Sequence, residues 1–199
     1  MQDRNSQNKN ISAKRMKVKD LKKFAEDFTE VYNKAWASHG EGKLLSNLQT
    51  LKLFTTLKPV INEHISWFVY ENEKPIAVWM NIPDLNQWFK YLNGKFSLWQ
   101  KLKFLFLKTF KTNKKMVGLV FGVVPEWHRK GIDGYMIWEG TRHFRKTTSF
   151  EDYEMQWIGD FNPKMIKIAE NLETEVTRKL ATYRFLFDRT KEFQRHKML

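Results

Sequence analysis

The stretch "MVGLVFGVVPEWHRKGIDGYMIWEG", Met116 to Gly140, restricts the fold more than any other part of the chain. Its first nine residues carry no polar side chain, which predicts a central strand covered on both faces. Pro125 ends that run, because a proline cannot continue a ladder of backbone hydrogen bonds. A short turn follows with His128, Arg129, Lys130 and Gly131, and then an amphipathic run predicts a helix from about Gly131 to Phe144. The start of a helix offers unpaired N–H groups and a partial positive charge, so it suits an anion. A glycine there lets the backbone approach the ligand closely. Two readings stay open on this motif alone: a phosphate-binding turn, or an ordinary strand-to-helix turn with solvated basic residues.

The flanking sequence supplies the rest of a layered sheet protein. Residues 1–16 are polar and basic and are expected to form a flexible leader, whose deletion would leave thermal stability nearly unchanged. From Val18 to Trp36, apolar residues recur at helical spacing, and Gly40 and Gly42 are expected to end that helix. Ser46 is a candidate cap for a second helix, with Leu48, Leu51, Phe54 and Leu57 inward and Pro59 as its stop. "ISWFVYENEKPIAVWMNIP" reads as a hairpin with a polar turn at Glu71–Lys74. "YEMQWIGDF" and "ATYRFLFDR" are further expected strands. Between them "NPKMIKIAENL" opens a helix, with Asn162 as cap and Pro163 in the first turn. The order α, α, β, β, helical insert, β, α, β, α, β predicts an α+β fold: a mixed, mostly antiparallel sheet flanked by helices in a single domain over 17–199.

Charge is unevenly placed. The net charge is +13, but residues 1–23 hold eight basic and two acidic groups, and residues 85–115 hold eight lysines and no acid. The remainder is close to neutral, so the excess points to an anionic partner without naming it. The chain has no cysteine, which excludes disulfides, thiolate metal sites and a cysteine nucleophile and suits a reducing, cytoplasmic setting. The five histidines, at 39, 64, 128, 143 and 196, show no paired spacing for a metal, and no metal site is expected. No apolar run approaches the roughly 20 residues of a membrane span, and the first residues lack the apolar core of a secretory signal.

The segment "VVPEWHRKGIDG" after an apolar strand resembles motif A of the GNAT superfamily of acyl-CoA N-acyltransferases. The order of elements over roughly residues 18–190 resembles that family too. The resemblance implies acetyl-CoA or another acyl-CoA as cosubstrate and transfer of the acyl group to an amine. It implies that the motif strand ends in a splayed bulge whose free backbone groups pair with the pantetheine arm. It also implies that the turn wraps the pyrophosphate with main-chain N–H groups. The resemblance implies CoA binding by Val123, Val124, Arg129, Lys130, Gly131, Ile132, Asp133 and Gly134, with Asn162 near CoA at the start of the later helix. The departures are His128 where glutamine or arginine is usual and Asp133 where a small residue is usual. No tyrosine stands near Ala169, and Glu173 stands where a glycine usually ends the helix.

Acyl transfer needs a base for the amine, a donor for the carbonyl oxygen and an acid for the thiolate. The motif strand holds no acid, so the candidates lie further on: Glu154, Asp160 and, as a proton donor, Tyr183. The lysine-rich segment 85–115 predicts a helical insert before the motif strand, broken near Gly94. Leu98, Leu102 and Leu105 share one face of it, and Lys101, Lys108 and Lys111 another. It is suited to pack over the sheet, to favour an anionic small-molecule or peptide acceptor, or to rest on an anionic membrane surface. The other readings of the whole chain are a GNAT-like domain without catalysis that serves binding, and a nucleic-acid binder, although no nucleic-acid signature is present.

Overall fold

The structure is a computed structural model, which describes residues 10–36, 44–95, 97–192 and 194. The chain divides into two compact units, Met1–Glu154 and Met155–Leu199. The first unit holds a five-stranded sheet in the order β1-β2-β3-β4-β5. The strands are β1 Ile11–Arg15, β2 Trp67–Glu71, β3 Lys74–Pro83, β4 Lys115–Val123 and β5 Asp152–Met155. β1 with β2, β2 with β3, and β3 with β4 are antiparallel. The helices are α1 Leu21–Trp36, α2 Asn47–Leu57, α3 Asn86–Phe89, α4 Leu98–Phe110 and α5 Ile132–Thr147, with α6 Pro163–Asn171 in the second unit.

Part of the expected leader is a strand. Residues 1–9 and the predicted helix stop at Gly40 and Gly42 lie outside the described residues. Ile11–Arg15 are not a leader but pair with β2, from Ile11 opposite Glu71 to Arg15 opposite Trp67. Ile11 and Met16 are buried. Two apolar side chains at either end of a short basic segment are enough to seat it as a strand, and composition averaged over residues 1–16 hides them.

The hairpin forms as its sequence predicts. Asn72 and Glu73 both adopt positive φ, 45° and 69°, in the two-residue turn between β2 and β3, the geometry whose twist matches flanking strands. Side chains then alternate between the faces of the sheet. Phe68 meets Phe24 of α1, with ring centroids 5.1 Å apart, and the Tyr70 hydroxyl donates to Asp27 of α1. Trp67 and Trp79 face α5, close to Gly140. α2 packs on α1 through Phe54 and Phe28. Ser46 caps α2 reciprocally with Gln49. The inward face of α2 is rotated from the predicted one: Leu48 is exposed, while Thr50 is buried and bonded to Thr29.

β4 is an interior strand with one irregularity that sequence periodicity cannot show. Its register against β3 slips by one between Met80 and Asn81, with Met80 opposite Val120 and Asn81 opposite Gly118. Leu119 is the extra residue, a β-bulge. A slip of one residue exchanges the two faces. A Cβ on Gly122 would therefore meet Trp36 of α1, whereas a Cβ on Gly118 would run into the Tyr153 hydroxyl, on the Trp79 side.

In the second unit, Asn162 caps α6 by accepting from the Met165 N–H at 3.1 Å, as predicted. Glu173 takes φ 55°. Glu173 N–H donates to Glu170 and Thr174 N–H to Ala169, which closes the helix in the manner a glycine usually serves. The expected strand "ATYRFLFDR" is not one: residues 181–186 carry no regular structure, and Tyr183 and Phe187 are almost fully exposed. "YEMQWIGDF" is strand only as far as Met155.

Two tests follow from this packing. Deleting residues 1–16 removes β1 and two buried side chains, each contributing about 1.5–3 kcal/mol. A thermal melt is expected to show a midpoint at least ~5 °C lower, and an unchanged midpoint would mean that β1 adds nothing to the fold. Gly118→Ala is expected to cost about 1–3 kcal/mol by overpacking, and less in a Tyr153→Phe background, where the nearest atom is gone.

Candidate functional site

The turn after β4 is held from both sides. Val124 N–H still donates to Ile76 O at 2.9 Å, so β3 guides the chain up to Pro125. Residues Pro125–Trp127 make one 3-10 turn. The His128 ring then donates from Nε2 to the Val123 carbonyl at 2.9 Å, since a carbonyl can only accept. His128 thus occupies a carbonyl at the strand exit and braces the turn. Arg129 sits at φ 61° and Gly131 at φ 74°. The left-handed region costs a side-chain-bearing residue roughly 1–2 kcal/mol, so the surrounding contacts impose this path on Arg129.

α5 starts directly at Ile132, whose side chain is fully buried and fixes the helix start. The first N–H groups of a helix have no partner within it, and the flanking Arg129, Lys130, Gly131 and Gly134 are exposed. Lys130 Nζ lies 4.6 Å from the centre of the Trp127 ring. Asp133 stands in the first turn of α5, where a carboxylate complements the helix dipole. That gives Asp133 a structural use that does not depend on a ligand. A Cβ on Gly134 would meet nothing within 4 Å, so the space above the first turn of α5 is open. With two cations, open backbone and a helix start, the turn can hold a phosphate or another anion.

The second part of the site is the far edge of β4. β5 has four residues and β4 nine, so at least five residues of β4 carry backbone groups on that edge that β5 does not pair. The paired part is the beginning: Glu151 and Asp152 N–H both donate to Lys114 O, and Lys114 pairs with Glu151 at 2.9 Å. Lys115 makes an ion pair with Glu154. Eight strand steps of ~3.3 Å separate Lys115 from Val123, or about 26 Å. Glu154, a predicted base, is therefore engaged by Lys115 at the end of β4 remote from the turn. Asp160 and Tyr183 belong to the second unit and are exposed.

The sequence did not single out Tyr153. Its hydroxyl accepts from Trp79 Nε1 at 2.9 Å and lies beside Gly118, next to the bulge at Leu119. Burial pushes its phenol up to about 12, against a small opposing effect of the Trp79 hydrogen bond, so it keeps its proton at neutral pH. A glycine opposite an aromatic on a neighbouring strand is the available signal, but it requires knowing the register.

A second polar cluster unites residues far apart in sequence. Arg15 Nη1 lies 3.1 Å from His143 Nε2, and His64 Nδ1 lies 3.0 Å from the same atom. Burial first, then Arg15 and His64, lower the pKa of His143. His39 and His196 lie outside the described residues, and among the described residues no group of three metal-binding side chains comes together. A cavity of about 520 Å³ adjoins this cluster, lined by His64, Trp88, Lys108, Phe110 and Phe150 among others. Pro83 also lines it. Pro83 pairs with Met116 at the start of β4, so the cavity lies at the opposite end of the strand from the Arg129–Gly134 turn.

No protein-family model matches the chain. Solved structures share its fold at low identity. A possible acetyltransferase from Clostridium difficile 630 is 18% identical, with a TM-score of 0.53 over 89% of this chain and 99% of the other. An aminoglycoside N-acetyltransferase in complex with CoA is 15% identical, with a TM-score of 0.52 over 88% and 94%. An aminoglycoside acetyltransferase from an uncultured soil metagenomic sample, in complex with sisomicin, is 12% identical, with a TM-score of 0.57 over 91% and 99%. Among curated proteins, a bacterial ceramide synthase of Caulobacter vibrioides is 24% identical over 150 residues. The match covers 74% of this chain and 39% of that protein, so the chain spans well under half of the relative's length. The α+β architecture with its mostly antiparallel sheet is the one these acetyltransferases have.

The open space at Gly134 permits a clean test of the turn. Gly134→Leu is expected to keep or raise the melting temperature, since leaving glycine in a helix gains about 0.5–1 kcal/mol. Calorimetric titration with CoA is expected to show at least ~10-fold weaker binding, because the new side chain fills the approach to the turn. Equal affinity would remove the turn from the site. Gly131 is the poorer probe, since any side chain there is strained at φ 74°.

Proposed function

We propose that this chain, which carries the GNAT fold, is an acyl-CoA-dependent N-acyltransferase acting on an amine acceptor. The observation that carries the reading is the turn Arg129–Gly134: left-handed Arg129 and Gly131, two exposed cations and open space in front of a helix start, all at the end of a bulged strand. The CoA pyrophosphate would lie against the main chain from Arg129 to Gly134, with Arg129 and Lys130 supplying counter-charge and Val123 and Val124 leading into the turn. The pantetheine amides would pair with the backbone of β4 that β5 leaves uncovered. The aminoglycoside acetyltransferase solved with CoA supports a CoA-based cosubstrate.

In the reaction the amine nitrogen attacks the thioester carbonyl carbon. A C–N bond forms, the C–S bond breaks, and the proton lost by the amine is matched by one gained by the thiolate. Backbone N–H groups at the bulge are the proposed donors to the carbonyl oxygen. Asp160 is the proposed base and Tyr183 the proposed acid, both solvent-accessible. Tyr153, which keeps its proton and lies against Gly118 on the Trp79 face of the sheet, is a further proposed proton donor. Glu154 is not proposed, because Lys115 engages its carboxylate. The acceptor is a small-molecule or peptide amine. The sisomicin complex supports a small polar amine and the ceramide synthase relative an amine of lipid character. A cysteine-free chain suits the reducing cytoplasm, the compartment we propose.

The departures from the motif give the second reading its basis: Asp133 places a carboxylate beside the phosphates, and α6 holds no tyrosine. Two measurements separate a transferase from a domain that only binds. Titration with acetyl-CoA and longer acyl-CoAs is expected to show binding, tightened several-fold in Asp133→Asn. Thiol release with a panel of amines is expected to show turnover, reduced ~10²-fold or more in Asp160→Asn if that carboxylate is the base. Binding without turnover on any amine would favour the binding domain; no binding of any acyl-CoA would sink both.

A further inference from the structure

The insert that joins β3 to β4 presents an unexpected face to solvent. Its own small core is Trp88, Leu92 and Phe104 against Val60, with Leu57, Leu85 and Leu107 around them. Only Phe104 of α4 is buried. Leu98, Leu102 and Leu105, the face that pattern alone would turn inward, point outward together with Trp99, Phe106 and Phe110. Trp99 is 78% exposed and Phe110 73%. At about 100° per residue, these six side chains and Thr109 span an arc of about 140°. No charge falls inside that arc. The Thr109 hydroxyl bonds the Leu105 carbonyl at 2.9 Å, so even the polar member of the arc is satisfied within the helix.

Lysines border the arc on both sides, Lys101 and Lys108 on one and Lys103 on the other. Lys103 and Lys108 donate to the backbone carbonyls of Tyr91 and Pro59, which are neutral. Residues 85–113 contain six lysines and no acid. We infer that α4 is an interfacial helix, which seats the chain on an anionic lipid bilayer with its apolar arc among the acyl chains and its lysines at the headgroups. At 13 residues the helix is about 20 Å long, suited to lie in the interface. Among the described residues no helix is long and apolar enough to cross a membrane.

The chemistry of the arc selects this occupant over two others. A second copy of the chain would set six lysines against six, without an acid on either insert to offset the repulsion. Nucleic acid would use the lysines and aromatic rings, but leucines have no ring face for a base to stack on. A bilayer uses every part: leucines and phenylalanines in the hydrocarbon, a tryptophan at the boundary, and lysines on anionic headgroups, each contributing about 1 kcal/mol near the surface.

The test is flotation of the full chain with vesicles of phosphatidylcholine alone and of phosphatidylcholine with 30–40% (roughly) phosphatidylglycerol, near physiological ionic strength. Binding is expected on the anionic vesicles only, weakening at least ~10-fold in high salt. Phe106→Ser/Phe110→Ser and Lys101→Glu/Lys103→Glu are each expected to lower it at least ~10-fold with unchanged melting temperatures, because these side chains are exposed. Quenching of tryptophan fluorescence by doxyl-labelled lipid is expected in the wild type and strongly reduced in Trp99→Phe. Failure of the wild type to float, equal binding of the variants, or a dimer in sedimentation that the same substitutions abolish would each overturn the assignment. Because vesicle binding is read without CoA or acceptor, its failure is distinct from failure of the transferase reading.

Discussion

The one-residue bulge at Leu119 is the constraint around which the first unit is arranged. β4 must satisfy two sets of backbone groups, and it does so unequally. The edge toward β3 is paired along the strand and beyond it, to Val124. The opposite edge is paired by β5 only near the start. The bulge divides these regions. Before it, Gly118 makes room for Tyr153 and so for close approach of β5; after it, Gly122 makes room for Trp36 of α1. Buried backbone groups are nearly always paired, so a strand with an uncovered edge in this position either meets water or holds an extended ligand. The same ladder delivers the chain to the turn at Arg129, where the positive φ angles lead into the start of α5.

Local chemistry was legible in the sequence wherever the determinant was itself local. The turn at Asn72–Glu73, the Ser46 cap with Gln49, the break at Gly94 and the Asn162-Pro163 helix start each depend on residues within four positions of one another. They formed where residue type placed them. The features that were not legible depend on partners distant in sequence. β1 is a strand because β2 has a free edge and because Ile11 and Met16 find the core. The face of α2 is set by a hydroxyl pair between Thr50 and Thr29, which a hydrophobic pattern cannot register. His64 and His143 show no spacing in sequence, yet stack 5.3 Å apart.

The candidate site divides the same way. The turn could be named from its residues, since a strand exit, a basic pair and a glycine before a helix are contiguous. The proton-transfer groups could not, because they are read across strands. Glu154 looked available on an isolated strand, and only the register shows that Lys115 engages it. Tyr153 was not singled out, and only the packing across strands places its hydroxyl against Gly118 and Trp79. The expected strand at "ATYRFLFDR" is the reverse case: its alternation is strand-like, but a strand needs a partner, and none pairs with it among the described residues.

The insert shows how far a correct pattern can mislead when its face is not fixed. Leu98, Leu102 and Leu105 do share a side of α4, as their spacing requires. Packing, however, is decided by which side meets Trp88 and Leu92, and Phe104 takes that place alone. A helix with one buried aromatic and six exposed apolar side chains is under-covered by its own fold. Charge then limits what can cover it, because a segment with lysines and no acid favours an anionic surface and repels its own copy. The insert enters β4 at Lys115, and the proposed cofactor turn leaves it at Val123, about 26 Å further along the strand. The apolar arc and the turn proposed to bind phosphate thus belong to opposite ends of one strand. That separation allows a bilayer to occupy α4 and a water-soluble thioester to occupy the turn in the same molecule, without competition for the same groups.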